Sequence, residues 1–568
     1  MTNPSTDKLL PTYEALAYDI KSRGIDTVFG LMSDDTALFV TTLDAIGVRF
    51  YAARHENTAV AMAEGFASAT GKLGIAIIGR GPATANAMHA TAYAQRTGSR
   101  VLVIFGASSV VHEVSGKGEA DTKEYNAAGV LEAAGIKTYV ATDSYGARQT
   151  LANAISATRN GGCAALLLPM NVQFGLIDYP GAMGVPGPSE AAPYTPGPAR
   201  PAALEAAAAI LGKSRKPLFV AGLGAHRSGA RAAIEALAEK VGAVVATTLK
   251  AKDMFEGFRY NAGVVGSFSH AAGRRSIEEA DCIVAFGAGL NPRTTSFGTA
   301  VPMDVPLVHI DIAHNKIARW LHADVSVIAD ACEAANALLS IVPDRAAHDK
   351  PFHTEETRNR LAHVDLAAEF QAANTPRTLD PRAVALALDG LLPKARNAVY
   401  DAGNFLQIVP YIAVPGPHCI KNTVDFASIG MGFGVAMGFA AGTPERTTVL
   451  FVGDGGFLMT LGELETAARE NLPLVIVLMN DAAYGAELHY LKMRGMPVST
   501  AVFADIDFAP IAQVFGFETA TVRTLEELRA LAPLLANPQG PILLDCKINA
   551  SVAAPFLLET VEHEKRKA

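Results

Sequence analysis

Short apolar runs recur along the chain at 75–78, 101–105, 164–168, 217–220, 282–286, 305–310, 447–451, 474–479 and 542–546. Little polar alternation interrupts them. A strand with one wet face alternates, whereas a strand covered on both faces does not. These runs therefore read as strands of parallel sheets sandwiched by helices. Between them lie Ala-rich stretches with a helical apolar period, at 58–70, 202–211, 229–240 and 461–470. Strand–helix alternation of this kind predicts an α/β architecture.

Two breaks divide the pattern. Residues 180–202 are rich in Pro, Gly and Ala, and residues 343–380 turn polar and end near Thr375-Pro376-Arg377. Both read as linkers. They leave three α/β units, at 1–180, 200–342 and 380–568. A chain of 568 residues has room for that number. Half the residues are hydrophobic and the net charge is −8, so electrostatics give no ground for a nucleic-acid or anionic-membrane partner. No apolar run is long enough to span a bilayer, and residues 1–8 carry no apolar signal core. The five cysteines are scattered, with no CxxC pair. They read as free buried thiols in a reducing compartment, so a cytoplasmic protein is expected.

The strongest local signal is the run from Thr448 to Phe457, an apolar strand entering Gly453-Asp454-Gly455-Gly456, with a helical pattern from Leu461. Glycines let backbone approach an anion, and a helix N-terminus offers free amides. An aspartate between them suits Mg²⁺, a hard cation that prefers oxygen. A tight turn containing an Asp would look the same. A second strand, 474–479, ends in Asn480-Asp481-Ala482-Ala483-Tyr484-Gly485. Neighbouring parallel strands end on the same side of a sheet, where ligands bind. Asp454 and Asn480-Asp481 can then face one metal–diphosphate.

Gly453-Asp454-Gly455 followed by Asn480-Asp481 resembles the thiamine diphosphate motif of the acetolactate synthase, pyruvate decarboxylase and benzaldehyde lyase superfamily. The resemblance implies a metal held by Asp454, Asp481 and the carbonyl of Ala483. It departs from the usual pattern in placing Asp481 where an asparagine stands. It also implies that Glu56, in Arg54-His55-Glu56-Asn57, hydrogen-bonds the pyrimidine ring of the cofactor. Ser428-Ile429-Gly430-Met431-Gly432 resembles the segment whose bulky side chain, here Met431, bends the cofactor, with the Ile429 carbonyl meeting its amino group. Gly79-Arg80-Gly81-Pro82-Ala83-Thr84-Ala85-Asn86 is similar to the family's Gly-Pro-Gly-x-x-Asn turn. Glu64, eight residues after Glu56, reads as a solvated or structural helix residue.

The implied order is a pyrimidine-binding domain at 1–180, a central Rossmann-like domain at 200–342 and a diphosphate-binding domain at 380–568. Homodimers or homotetramers with active sites between subunits follow from the same resemblance. Glu487, three residues after Tyr484, falls where decarboxylases carry a glutamate near the reacting carbon, and Asp34 aligns with one of their aspartates. His112 and Lys123 lie in a variable loop where relatives touch substrate. The Gly222-Leu223-Gly224 turn leaves FAD open as a further cofactor, although an empty structural domain is preferred. The expected activity is carbon–carbon ligation or cleavage beside a carbonyl, acetolactate-synthase-like. A 2-oxo acid decarboxylase and an acyloin- or diketone-cleaving lyase are the alternatives. A non-catalytic binding protein that kept the fold is the alternative of another class.

Overall fold

The structure is a computed structural model that describes residues 8–109, 121–159, 161–179, 196–345 and 350–567. His112 lies outside them, as does most of the first expected linker. Each apolar run predicted above forms a strand, within a residue or two at either end. Three six-stranded sheets result, and every strand pair within them is parallel. Helices flank each sheet, as the alternation requires.

The first sheet runs Arg49–Ala52, Thr27–Leu31, Gly74–Ile78, Val101–Ala107, Cys163–Pro169, Lys137–Val140. Numbered within its own unit, that is the order 2-1-3-4-6-5. The last sheet runs Ile420–Asn422, Arg396–Tyr400, Thr447–Gly453, Leu474–Asn480, Ile542–Lys547, Glu518–Val522, which is the same order. The central sheet, from Asn261–Val264 through Pro217–Ala221 to Val325–Ile328, has the order 3-2-1-4-5-6 of a Rossmann fold.

The second expected linker is partly structured. Thr354 accepts a hydrogen bond from the Thr357 amide and caps a helix over Glu355–Ala362. Phe352 is buried with the central core. The stretch looked like a linker because this helix shows a polar face to solvent.

The first and last units share one continuous core. Its seam is the helix Glu56–Thr70 laid against the helix Gly432–Gly442. Both are rich in Ala and Gly, and their facing residues are buried. The backbones touch: a Cβ added to Gly65 would lie 2.1 Å from the Val435 carbonyl oxygen, and one on Gly438 would lie 2.1 Å from that of Met62.

Candidate active site

Asp454 sits where the strand Thr447–Gly453 stops. The sequence pattern put the next helix at Leu461, but a short helix, Asp454–Leu458, begins at the aspartate itself. Asp454 is 1% exposed. Its Oδ1 accepts the Gly455 amide at 3.0 Å, while Oδ2 is buried without a hydrogen-bond partner. Burial pushes its pKa up to about 7.

The neighbouring strand Leu474–Asn480 delivers Asp481 beside it, as the sheet order requires. Burial, reinforced by the charge of Asp454, pushes Asp481 up to about 8. Asn480 is turned to structural work: its amide nitrogen donates to the Asp545 carboxylate at 2.9 Å and to the Ile506 carbonyl at 3.0 Å. The turn that follows is tight. Ala482 takes a positive φ of 53°, Ala483 bridges to Val502, and the Tyr484 amide donates to the Ala501 carbonyl.

The motif glycines are also closely packed against the rest of the protein. A Cβ on Gly455 would lie 2.5 Å from the Tyr484 ring, and one on Gly456 would lie 2.5 Å from Asp401 Oδ2 and 3.1 Å from the Gly430 amide nitrogen. These glycines admit other parts of the protein. The same is true in the central unit, where Gly222 and Gly224 make room for the backbone at Gly287.

Asp401 is a residue that the sequence did not single out. Fully buried, it accepts the Gly430 amide at 2.6 Å, the Gly432 amide at 3.0 Å and the Thr423 hydroxyl at 3.0 Å. It thereby fixes both ends of the Met431 peptide, with Gly430 at a positive φ of 77°. Met431 is fully buried, and Ile429 is partly exposed beside Gly456.

Glu56 opens the helix Glu56–Thr70. Its Oε2 accepts the Asn86 side-chain amide at 3.1 Å, which ties it to the helix following Gly79-Arg80-Gly81. The adjacent Asn57 reaches the Met431 sulfur at 3.3 Å, so the Glu56 and Met431 segments meet within a single chain. A second overlooked residue holds this approach. Buried Glu463 of the last unit accepts the Arg54 amide on both oxygens at 3.1 Å, and the Thr466 hydroxyl at 2.7 Å.

Glu64 is not solvated. It is fully buried, accepts from Ser68 and Ser99, and pairs with Lys421 of the last unit. The sequence suggested an exposed alternative because the cation that accepts its charge stands more than 350 residues away. Glu487 is exposed on the first turn of the helix Gly485–Met493. Asp34 is also exposed, pairs with Lys123 and lies 3.5 Å from Arg80, a pairing that holds its carboxyl below the usual range. Its neighbour Asp35 is the buried one and accepts the Arg80 amide at 3.0 Å.

Three family descriptions match the chain in the order of its sheets. Residues 11–125 match the N-terminal TPP binding domain of thiamine pyrophosphate enzymes, residues 204–338 their central domain, and residues 401–546 their C-terminal TPP binding domain. This chain is a thiamine pyrophosphate enzyme. Its relatives have different chemistries. It is 29% identical to a probable 2-ketoarginine decarboxylase of Pseudomonas aeruginosa, covering 92% of this chain and 91% of that one. It is 25% identical to a probable acetolactate synthase large subunit of Methanocaldococcus jannaschii, covering 96% and 93%. A sulfoacetaldehyde acetyltransferase of Rhodobacter capsulatus is 27% identical, covering 96% of each chain. The residues present fit the cofactor's metal–diphosphate end, since Asp454 offers a buried oxygen with no protein partner.

Proposed function

We propose that this enzyme uses thiamine diphosphate and Mg²⁺ to make or break the carbon–carbon bond beside the carbonyl of a 2-oxo acid, with acetolactate-synthase-like ligation as its direction. The convergence of Glu56, Met431 and the Asp454–Asp481 pair supports this reading. In it, Asp454, Asp481 and the Ala483 carbonyl hold the metal, and Gly453, Gly455 and Gly456 line the diphosphate. Met431 would support the cofactor's rings, and the Ile429 carbonyl would accept its amino group. When bound, the cofactor supplies a carbon nucleophile and an electron sink. Asn86 occupies Glu56 Oε2, so proton exchange with the pyrimidine ring falls to Oε1. Glu487 and Asp34 are the candidates to exchange protons with substrate; both are accessible.

Assembly as a homodimer or homotetramer belongs to this proposal. In this proposal the active sites lie between subunits; within one chain Asn57 reaches the Met431 sulfur. Flavin is not part of this reading; Gly222 and Gly224 pack closely against the backbone at Gly287. A cytoplasmic location is supported by the free cysteines among the described residues. No helix among those residues is long and apolar enough to cross a membrane.

Decarboxylation is the second reading, favoured by the similarity to the 2-ketoarginine decarboxylase. Pyruvate turnover with thiamine diphosphate and Mg²⁺, followed by proton NMR, separates the two. Acetolactate supports ligation and acetaldehyde supports decarboxylation. If pyruvate is not consumed although the cofactor is bound, pyruvate is discarded as donor and larger 2-oxo acids become the substrates to test.

A further inference from the structure

Two carboxylates, Asp454 and Asp481, stand at the ends of adjacent strands, and among the described residues no basic side chain pairs with either. Asp454 is 1% exposed and its Oδ2 has no partner. Asp481 Oδ2 lies so close to Gly485 that a Cβ there would be 2.5 Å away, so the chain keeps the residue small to admit the carboxylate. The influences on Asp481 are its burial, the charge of Asp454 and backbone amides, and no basic side chain is among them.

The candidates for compensation are already committed. Both amide protons of Asn480 are used, on Asp545 and Ile506. Lys547, a buried cation at the end of the next strand, serves Asp505, Asp545 and the Ile506 carbonyl. Burying neighbouring like charges costs free energy unless a proton or a cation joins them. A hard divalent cation takes carboxylate oxygens readily, and two carboxylates cancel its charge.

We infer that the Asp454–Asp481 pair binds a divalent cation by itself, before and without the diphosphate, so that the metal enters first and the cofactor closes on it. With an amide at 481 the site would hold one carboxylate, and metal capture would depend on phosphate oxygens. The charge of Asp481 thus sets the order of assembly. This rests on the reading that the pair holds the metal of a thiamine-dependent enzyme.

The test is a titration of cofactor-free protein with Mn²⁺, read by electron paramagnetic resonance as loss of the free-ion signal. It is repeated for Asp481→Asn and with saturating thiamine diphosphate. The wild type is expected to take up one Mn²⁺ per chain without cofactor. Asp481→Asn is expected to bind at least about tenfold more weakly when cofactor is absent, and to recover when cofactor is present. If the wild type takes up Mn²⁺ only with cofactor, or if the variant matches it without cofactor, the inference is overturned and the functional reading stands. If folded wild-type protein takes up no Mn²⁺ under either condition, the metal assignment fails with it. The wild-type titration decides the matter even if the variant does not fold.

Discussion

Replacing Gly438 by Ala should unseat the helix pair on which the site depends. Its new Cβ would lie 2.1 Å from the Met62 carbonyl oxygen and 2.7 Å from the Phe66 amide nitrogen. Both are backbone atoms of the helix Glu56–Thr70, so no side chain can swing aside. Ordinary contact begins near 3.4 Å, more than an ångström further out. Relief therefore requires the helices to part. Overpacking typically costs about 1–3 kcal/mol, and a clash with backbone belongs at the upper end. For a unit of this size the midpoint of thermal unfolding should fall by on the order of 5–10 °C. The same movement stretches the contact between Asn57 and Met431, which stands at 3.3 Å. A displacement of about 1 Å at a catalytic group can cost on the order of 100-fold in rate. Gly390→Ala is the control, because nothing lies within 4 Å of its Cβ. In a helix, that exchange should be neutral or stabilise by up to about 1 kcal/mol. Thermal denaturation and turnover of both variants decide the matter. Wild-type stability and turnover in Gly438→Ala would refute the packing described for these helices.

Three further outcomes are expected. Glu56→Gln should keep thiamine diphosphate bound, as read by equilibrium dialysis, while turnover falls by roughly 100-fold or more. Lys421→Met should leave the Glu64 carboxylate buried and unpaired at a cost of about 3–5 kcal/mol in urea unfolding, and adding Glu64→Leu should recover most of it. Cofactor-free protein should lose stability as pH rises from about 6.5 to about 8. The folded chain holds protons on Asp454, at about 7, and Asp481, at about 8, which the unfolded chain releases near 3.8, so the native state binds more protons in this window. Saturating Mg²⁺ should flatten that slope, and a urea midpoint that rises over the same window would contradict the pair's environment.

The strands were legible where burial on both faces made them uniformly apolar, as in Leu474–Asn480. Edge strands were less so. Val325–Ile328 and Glu518–Val522 keep exposed or partly exposed positions; the first is only four residues long and broken by Ser326, and the second carries few large apolar residues. Asp454 and Glu56 could be proposed because each sits in a motif with local spacing. Asp401 and Glu463 lie outside those motifs, and Glu64 reads from sequence as either a solvated or a structural helix residue. Each is buried and held by groups that reach it from elsewhere in the fold: amides at Gly430 and Gly432, the Arg54 amide, and Lys421. In sequence, a buried charge and a surface charge look alike.

The shared sheet order explains why the site forms where it does. By that order, the helix Glu56–Thr70 and the helix Gly432–Gly442 are equivalent, since each follows the second strand of its unit. The two helices at the seam are thus counterparts, although their sequences show no repeat. The turns after the third strands are counterparts too: Gly79-Arg80-Gly81 in the first unit and Gly453-Asp454-Gly455 in the last. In the first turn Arg80 is surrounded by Asp34, Asp35 and Asp121. In the second, Asp454 keeps an oxygen without a partner. One topology thus supplies two turns. Arg80 draws carboxylates around its turn, and Asp481 places a second uncompensated carboxylate beside the other. On the proposed reading, the Asp454 turn rather than the Arg80 turn is the one that draws a divalent cation.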